Sequence, residues 1–261
     1  MKTAAIIQAR MGSTRLPNKV LMPVSGKPLL GWMLDRVSTC KQVSEIIVAT
    51  TTDARDDVIA QFAGEMGYRV YRGSENDVLD RYYQAACLVN PDAVVRITAD
   101  CPLLDPAVLG ALIQRYQQGG VDFVSNSEPL PSSWPDGMDV SIVSFDALKK
   151  AWQDAVRPSD REHVTFYFWN HPEEFRCERV DHSPDWSRYR ITIDYPEDFT
   201  LIEAVIGHFG AADPARVSRV SMEDIVAYLD AHPQVFGLNE KYTRGLGWQP
   251  ALERDRQLGF E

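Results

Sequence analysis

The chain is expected to fold as an α/β domain with a mostly parallel sheet flanked by helices. Three observations predict this. Apolar strand-like runs and helical stretches alternate five times within the first 125 residues, the rhythm of βαβ units. The chain has 261 residues, 44% apolar and 25% charged, an ordinary soluble composition that excludes disorder and collagen-like repeats. That length suits one large domain, or one domain with a subdomain.

The elements read in order. Ala4–Ala9 is a short apolar run, expected as a buried strand. A polar stretch with glycine and prolines follows from Arg10 to Lys27, and Pro28 suits the first turn of a helix carrying Leu29, Leu30, Met33 and Val37 on one face. Glu45–Thr50 is a second strand. Asp53 can cap the next helix, with Val58, Ile59 and Phe62 inward. Tyr68–Tyr71, Ala93–Thr98 and Val121–Ser125 are further strands, separated by helices over Asp77–Leu88 and Asp105–Tyr116. The rhythm changes after Asn126. Residues 126–188 hold four of the six tryptophans and six of the sixteen prolines, as an inserted or elaborated region would. Tyr189–Asp194 reads as one more strand, followed by helices at Glu197–His208 and Met222–Ala231. Residues 1–233 are thus expected to form one domain, and 234–261 a tail without clear periodicity.

Charge is unevenly distributed. The total is −10, which disfavours nucleic acid and anionic membranes as partners. Residues 1–41, however, carry seven lysines and arginines against the single acid Asp35. A basic pocket on an acidic body suits a small polyanionic ligand. The four cysteines form no CxxC pair, so buried reduced thiols are expected rather than disulfides or zinc. No run approaches the ~20 apolar residues of a membrane span, and the N-terminus lacks a signal-peptide pattern. A cytoplasmic protein is expected.

Three motifs carry chemistry. Ile7-Gln8-Ala9-Arg10-Met11-Gly12-Ser13-Thr14-Arg15-Leu16-Pro17-Asn18-Lys19 leaves the first strand with three cations and no acid. Guanidinium forks, backbone N–H groups and an ammonium are what a triphosphate needs. Ligands of open α/β sheets bind at the carboxyl ends of strands. Neither a Walker A loop nor a dinucleotide fingerprint is present. The second motif, Arg96-Ile97-Thr98-Ala99-Asp100-Cys101-Pro102, ends a strand in a carboxylate suited to Mg²⁺ beside phosphate oxygens. Asp105 reads as a helix cap instead. The third, Arg190-Ile191-Thr192-Ile193-Asp194-Tyr195-Pro196, repeats that pattern. Asp194 alone could be a cap or a ligand, but two strand-end aspartates favour a shared cation.

In order and spacing, IIQARMGSTRLPNKVL, RITADCPLLDP and ITIDYPEDF resemble the CTP-dependent sugar-acid cytidylyltransferases. These are the CMP-sialate and CMP-3-deoxy-manno-octulosonate synthetases, with the spore-coat-polysaccharide type as the nearest branch. The resemblance implies a nucleotide-diphospho-sugar-transferase-like, Rossmann-like fold, Mg²⁺ dependence, CTP and a sugar acid as substrates, and a homodimer built partly by the inserted region. It implies that Gln8, Ala9, Arg10, Ser13, Arg15 and Lys19 hold the nucleotide. Arg72 and Ser74 would read cytosine and ribose, and Arg81, where the related synthetases have a polar site residue, would also bind the nucleotide. Asp100 and Asp194 would hold the metal, and Arg10 and Lys19 would act with them in catalysis. Asn18 replaces a glycine common in these enzymes, so the turn there is expected to differ. Ser141 stands where many carry glutamate.

Other candidates keep two readings. Arg161 and His163 could face an acidic sugar or could belong to a helix start. Asp136 and Asp139 could contact the acceptor, although Asp136-Gly137 also suits a turn. A sugar-phosphate or polyol-phosphate nucleotidyltransferase, and a nucleotide-binding assembly protein without catalysis, are the alternatives.

Overall fold

A computed structural model describes residues 1–260. A seven-stranded sheet forms from β1 (Thr3–Gln8), β2 (Glu45–Thr51), β3 (Arg69–Gly73), β4 (Ala93–Thr98), β5 (Phe123–Ser125), β6 (Ser141–Ser144) and β7 (Cys177–Arg179). Their order is β3-β2-β1-β4-β6-β5-β7. β1 pairs parallel with β2 and β4, and β2 with β3. β6 alone runs against the rest, between β4 and β5.

Alternation along β1 shows why both faces are covered. Ala5 and Ile7 join one apolar cluster, and Ala4 and Ile6 the other, because successive side chains point to opposite faces. The first cluster packs under α1 (Leu29–Ser38), α2 (Asp57–Glu65), α4 (Pro106–Gln117), α8 (Pro196–Gly210) and α9 (Met222–Ala231). The second packs under α3 (Val78–Cys87), α5 (Phe145–Asp154) and α7 (Phe166–Asn170). Short helices α6 (Pro158–His163) and α10 (Pro233–Phe236) and the C-terminal α11 (Gln249–Gln257) complete the set. Among the described residues no helix is long and apolar enough to cross a membrane.

Start signals act as expected at two helices. Asp105 caps α4, accepting from Ala107 N at 2.7 Å. Asp53 accepts from Arg55 N at 2.8 Å and starts a 3-10 turn leading into α2. Other details differ. Pro28 stands just before α1 rather than within it. Val58 is 47% exposed, so only Ile59 and Phe62 of the expected inward set pack against the core.

The expected strand Tyr189–Asp194 does not form. The segment is extended, but its only ladder contact is a bridge from Arg190 to Asp136. Its N–H groups go to loops instead: Ile191 N donates to Asp136 O at 2.7 Å and Ile193 N to Asp100 O at 2.8 Å. Gly137 permits this approach. Its φ is +109°, and a Cβ there would lie 2.6 Å from the Ile191 backbone, a position open only to glycine. The result places Asp194 beside Asp100 without a shared strand pair.

Candidate active site

The loop after β1 is fixed before it reaches the site. Met11 N donates to Asp56 Oδ1 at 2.7 Å, and Asn18 N donates back to Met11 O at 3.1 Å. Asn18 itself adopts φ 63° and ψ 9°, the left-handed conformation. Asparagine tolerates that region better than other non-glycine residues. The turn at Asn18 thus takes a backbone that glycine also adopts freely.

Lys19 follows, and its side chain is almost fully buried. Its Nζ donates to Ile193 O at 2.6 Å, Asp194 Oδ1 at 2.9 Å and Asp100 Oδ2 at 3.1 Å. The first, second and third motifs thus meet at one ammonium. Burial alone would raise the Asp100 carboxyl, but Lys19 outweighs it and holds the group at about 2. Burial would likewise lower Lys19, yet the two carboxylates keep it raised. Lys19 and Asp100 are both charged across the neutral range.

Arg15 pairs with Asp194 at 2.7 Å and lies 5.2 Å above the Tyr195 ring. Arg10, more exposed, reaches Glu75 at 3.3 Å. Arg190 supports Asp194 from beneath, at 3.3 Å, while holding Asp136 at 2.7 Å and Asp198 at 2.9 Å. Burial would weaken the charge on Arg190, but Asp198 and Asp136 keep it fully cationic.

Two cavities meet at these carboxylates. The smaller, about 180 Å³, lies within the loop and is bordered by Ala9, Ser13, Arg15 and Lys19. The larger, about 660 Å³, extends from Gln8 and Arg10 past Asn76 to Arg96, Glu128, His163 and Trp248. Asp100 and Asp194 border both. A niche lined by Arg10, Arg15 and Lys19 opens into a larger chamber past Asp100 and Asp194, with Gln8, Arg10, Arg15 and Thr98 also on the shared border.

The sequence matches the Cytidylyltransferase family over residues 4–212. The chain belongs to that family. It is 34% identical to the spore coat polysaccharide biosynthesis protein SpsF of Bacillus subtilis, over 87% of this chain and 94% of that one. It is 33% identical to the 3-deoxy-manno-octulosonate cytidylyltransferase of Brucella ovis, over 48% of this chain and 50% of the relative. Its fold superposes on the structure of a cytidylyltransferase from Leptospira borgpetersenii with a TM-score of 0.83 and 34% identity, covering 90% and 97% of the two chains. The protein is therefore a CTP-dependent nucleotidyltransferase, and its sheet is of the nucleotidyltransferase, Rossmann-like type.

This cytidylyltransferase places the remaining candidates in different ways. Arg72 borders neither cavity. Its guanidinium holds the carbonyls of Thr51 and Asp53 at 2.9 and 3.0 Å and the Asp57 carboxylate at 2.6 Å. Ser74 also lies outside both, its Oγ accepting from Asp77 N at 3.1 Å. Arg81 is fully buried; one nitrogen donates to Ser74 O at 2.6 Å, while Nε and Nη2 have no partner.

Arg161 lines the larger cavity, but its guanidinium is engaged by Asp77, 2.5 Å away, and by Trp152 O at 2.8 Å. His163 lines it with an unpartnered, buried Nε2. Burial, with the charges of Arg96 and Arg254, pushes its imidazole down to about 4, so it is neutral at pH 7. Asp136 and Asp139 line the cavity through their pairings with Arg190 and Arg244. Ser141 is buried in the sheet, its Oγ 3.2 Å from Ser125 Oγ.

Arg190 was not singled out from sequence, although it lies in the third motif. The C-terminal tail carried no signal, yet it walls the chamber. Arg244 reaches Asp139 and donates to Trp134 O at 3.0 Å. Trp248 meets Phe166 edge-on at 5.3 Å, and Tyr242 stacks on Tyr195 at 3.8 Å. The four cysteines are free, and Cys101, buried beside Asp100, has a thiol raised well above its ordinary range.

Proposed function

We propose that this cytidylyltransferase transfers CMP from CTP to a hydroxyl of a sugar acid, releasing pyrophosphate, for surface polysaccharide or glycan synthesis. The observation that carries the reading is that Asp100 and Asp194 form the junction of a cation-ringed niche and a larger chamber. A triphosphate in the niche would bring its α-phosphorus to that junction, facing an acceptor in the chamber. The name of one relative, a 3-deoxy-manno-octulosonate cytidylyltransferase, supports a sugar acid, and that of another, a spore coat polysaccharide biosynthesis protein, supports surface polysaccharide synthesis.

The bond formed is between the acceptor oxygen and the α-phosphorus, and the bond broken is that to the bridging oxygen of pyrophosphate. Such transfer asks for positioning and charge neutralisation more than covalent catalysis. Arg10 and Arg15 would hold the phosphate oxygens, while Lys19, whose three N–H bonds go to Asp100, Ile193 and Asp194, would favour the leaving pyrophosphate through its charge. Ser13 and the Ala9 backbone border the same niche.

The donor set fits a divalent hard cation. Asp100 and Asp194 each turn one oxygen to the Lys19 ammonium, at 3.1 and 2.9 Å, and both carboxylates also border the two cavities, where a cation would reach them. Among the described residues no third carboxylate, histidine or cysteine joins them, which suits Mg²⁺ completed by phosphate oxygens. Bound there, Mg²⁺ supplies charge neutralisation at the α-phosphate and lowers the pKa of a neighbouring hydroxyl. Arg190 and Lys19 keep the two carboxylates oriented.

The test is pyrophosphate release from CTP and Mg²⁺ against a panel of sugar acids and sugar phosphates. Turnover on a sugar acid is expected. Silence on every sugar acid, with turnover on a sugar phosphate, overturns the acceptor assignment. A homodimer built through residues 126–188 belongs to the same proposal and is checked by light scattering.

A further inference from the structure

Arg96 sits on β4, four residues before Asp100, with its side chain in the larger cavity. Its Nε is buried without a hydrogen-bond partner. Across the same chamber Glu128 is 5% exposed, and its Oε2 is also buried and unpartnered. A buried donor and a buried acceptor left open in one cavity are each destabilising unless something answers them. Neither is needed for the triphosphate, since both lie away from the niche of Arg15 and Lys19.

The local charge decides what kind of group would answer them. Glu128 and Asp139 both feel the Arg96 charge, and Asp139 is already paired with Arg244. His163, beside them, is neutral at pH 7. Arg96 acts on Glu128, Arg244 is held by Asp139 and Asp136, Arg254 by Glu162 and Arg161 by Asp77, so no cation at this end is left over for an anion. An acceptor's carboxylate is thus disfavoured here, and a neutral group offering both an oxygen and an N–H or O–H is favoured.

We propose that Arg96 and Glu128 form a specificity subsite that grips an uncharged polar substituent of the acceptor, an amide or a hydroxyl, at the end remote from the reacting oxygen. Arg96 donates to the substituent's oxygen, and Glu128 accepts its hydrogen. This inference rests on the sugar-acid reading above, and it adds two residues to the acceptor half of the site.

The experiment uses the full chain, CTP, Mg²⁺ and two probes. One is an eight-carbon 3-deoxy-ulosonic acid carrying only hydroxyls. The other is a nine-carbon ulosonic acid with an acylamido group. Arg96→Met and Glu128→Ala are each compared with wild type. The acceptor KM is expected to rise at least tenfold in both variants, with kcat reduced less than threefold. CTP affinity, measured by calorimetry without acceptor, is expected to stay within twofold, which also reports an intact fold. The probe whose KM moves more identifies the gripped group as hydroxyl or amide. An acceptor KM unchanged in both variants overturns the subsite. A wild type silent on both probes overturns the sugar-acid reading instead.

Discussion

Lys19 Nζ stands 3.1 Å from Asp100 Oδ2, inside a site where neither charge is freely hydrated. The same ammonium holds Asp194 at 2.9 Å and the Ile193 carbonyl at 2.6 Å. Lys19→Met should therefore fail twice. Removing one partner of a buried ion group costs about 3–5 kcal/mol, measurable as a lower urea midpoint. Pyrophosphate release should fall about 100-fold or more, because the leaving group loses its cation. In wild type the Asp100 contribution is complete above its ordinary pKa of 3.8 and is lost as pH falls towards 2. Near-wild-type turnover by the methionine variant would remove Lys19 from the chemistry.

Asp100→Asn should abolish CMP transfer while the fold survives. The amide preserves shape and can still meet Lys19, but it is a poor ligand for a divalent cation. Circular dichroism should be unchanged and pyrophosphate release undetectable. Chelation of divalent cations should silence the wild type reversibly. Substantial turnover of the variant with Mg²⁺ would exclude Asp100 as a metal ligand.

Some of this was legible in the sequence, for reasons that differ by residue. Ala93–Thr98 reads directly as a strand because its apolar run is buried by local neighbours. Asp100 and Asp194 stand out because each ends an apolar run, and Lys19 because it is one of three cations without an acid after the first strand. Tyr189–Asp194 has the composition of a strand, but its partner is the turn at Gly137, which no local pattern announces. The tail is least legible. Its anchors include long-range side-chain pairs, among them Arg244 with Asp139 and Arg254 with Glu162, across 105 and 92 residues. Periodicity carries no trace of such contacts.

Asn18 shows a departure from a family pattern absorbed by chemistry. At φ 63° a Cβ residue other than asparagine or aspartate incurs about 1–2 kcal/mol. Asn18→Gly should be neutral to within about 0.5 kcal/mol in stability and leave the KM for CTP unchanged. Asn18→Val should lower the melting temperature and raise that KM, because Lys19 is the next residue. Equal stability of the valine variant would show that the loop can relax elsewhere.

His163 gives the fold a pH dependence of definite sign. Its imidazole is held at about 4, against an ordinary 6.5, so the unfolded chain binds the proton more tightly. Stability must then fall as pH drops through 6.5 towards 4. Between pH 8 and pH 5 the loss from this group is about 2 kcal/mol. His163→Gln should abolish that part of the slope in urea titrations at the two pH values. An unchanged slope would mean that His163 is hydrated and titrates normally.

Arg244 tests whether the tail is part of the working site. It is the partner that Asp139 finds, and it also lies 3.8 Å from Asp136. Arg244→Ala leaves a largely buried carboxylate without a counter-charge, at a cost of about 2 kcal/mol, below the figure for fully buried pairs because Asp139 retains some exposure. The acceptor KM should rise, since the chamber wall loses its anchor, while CTP affinity should change less, because Arg244 does not border the niche that holds Ser13 and Lys19. Adding Asp139→Asn to the variant removes the stranded charge. The double variant should regain most of the stability but not the acceptor KM. Recovery of both would assign Arg244 a purely electrostatic role; recovery of neither would mean that the tail detaches when its arginine is lost.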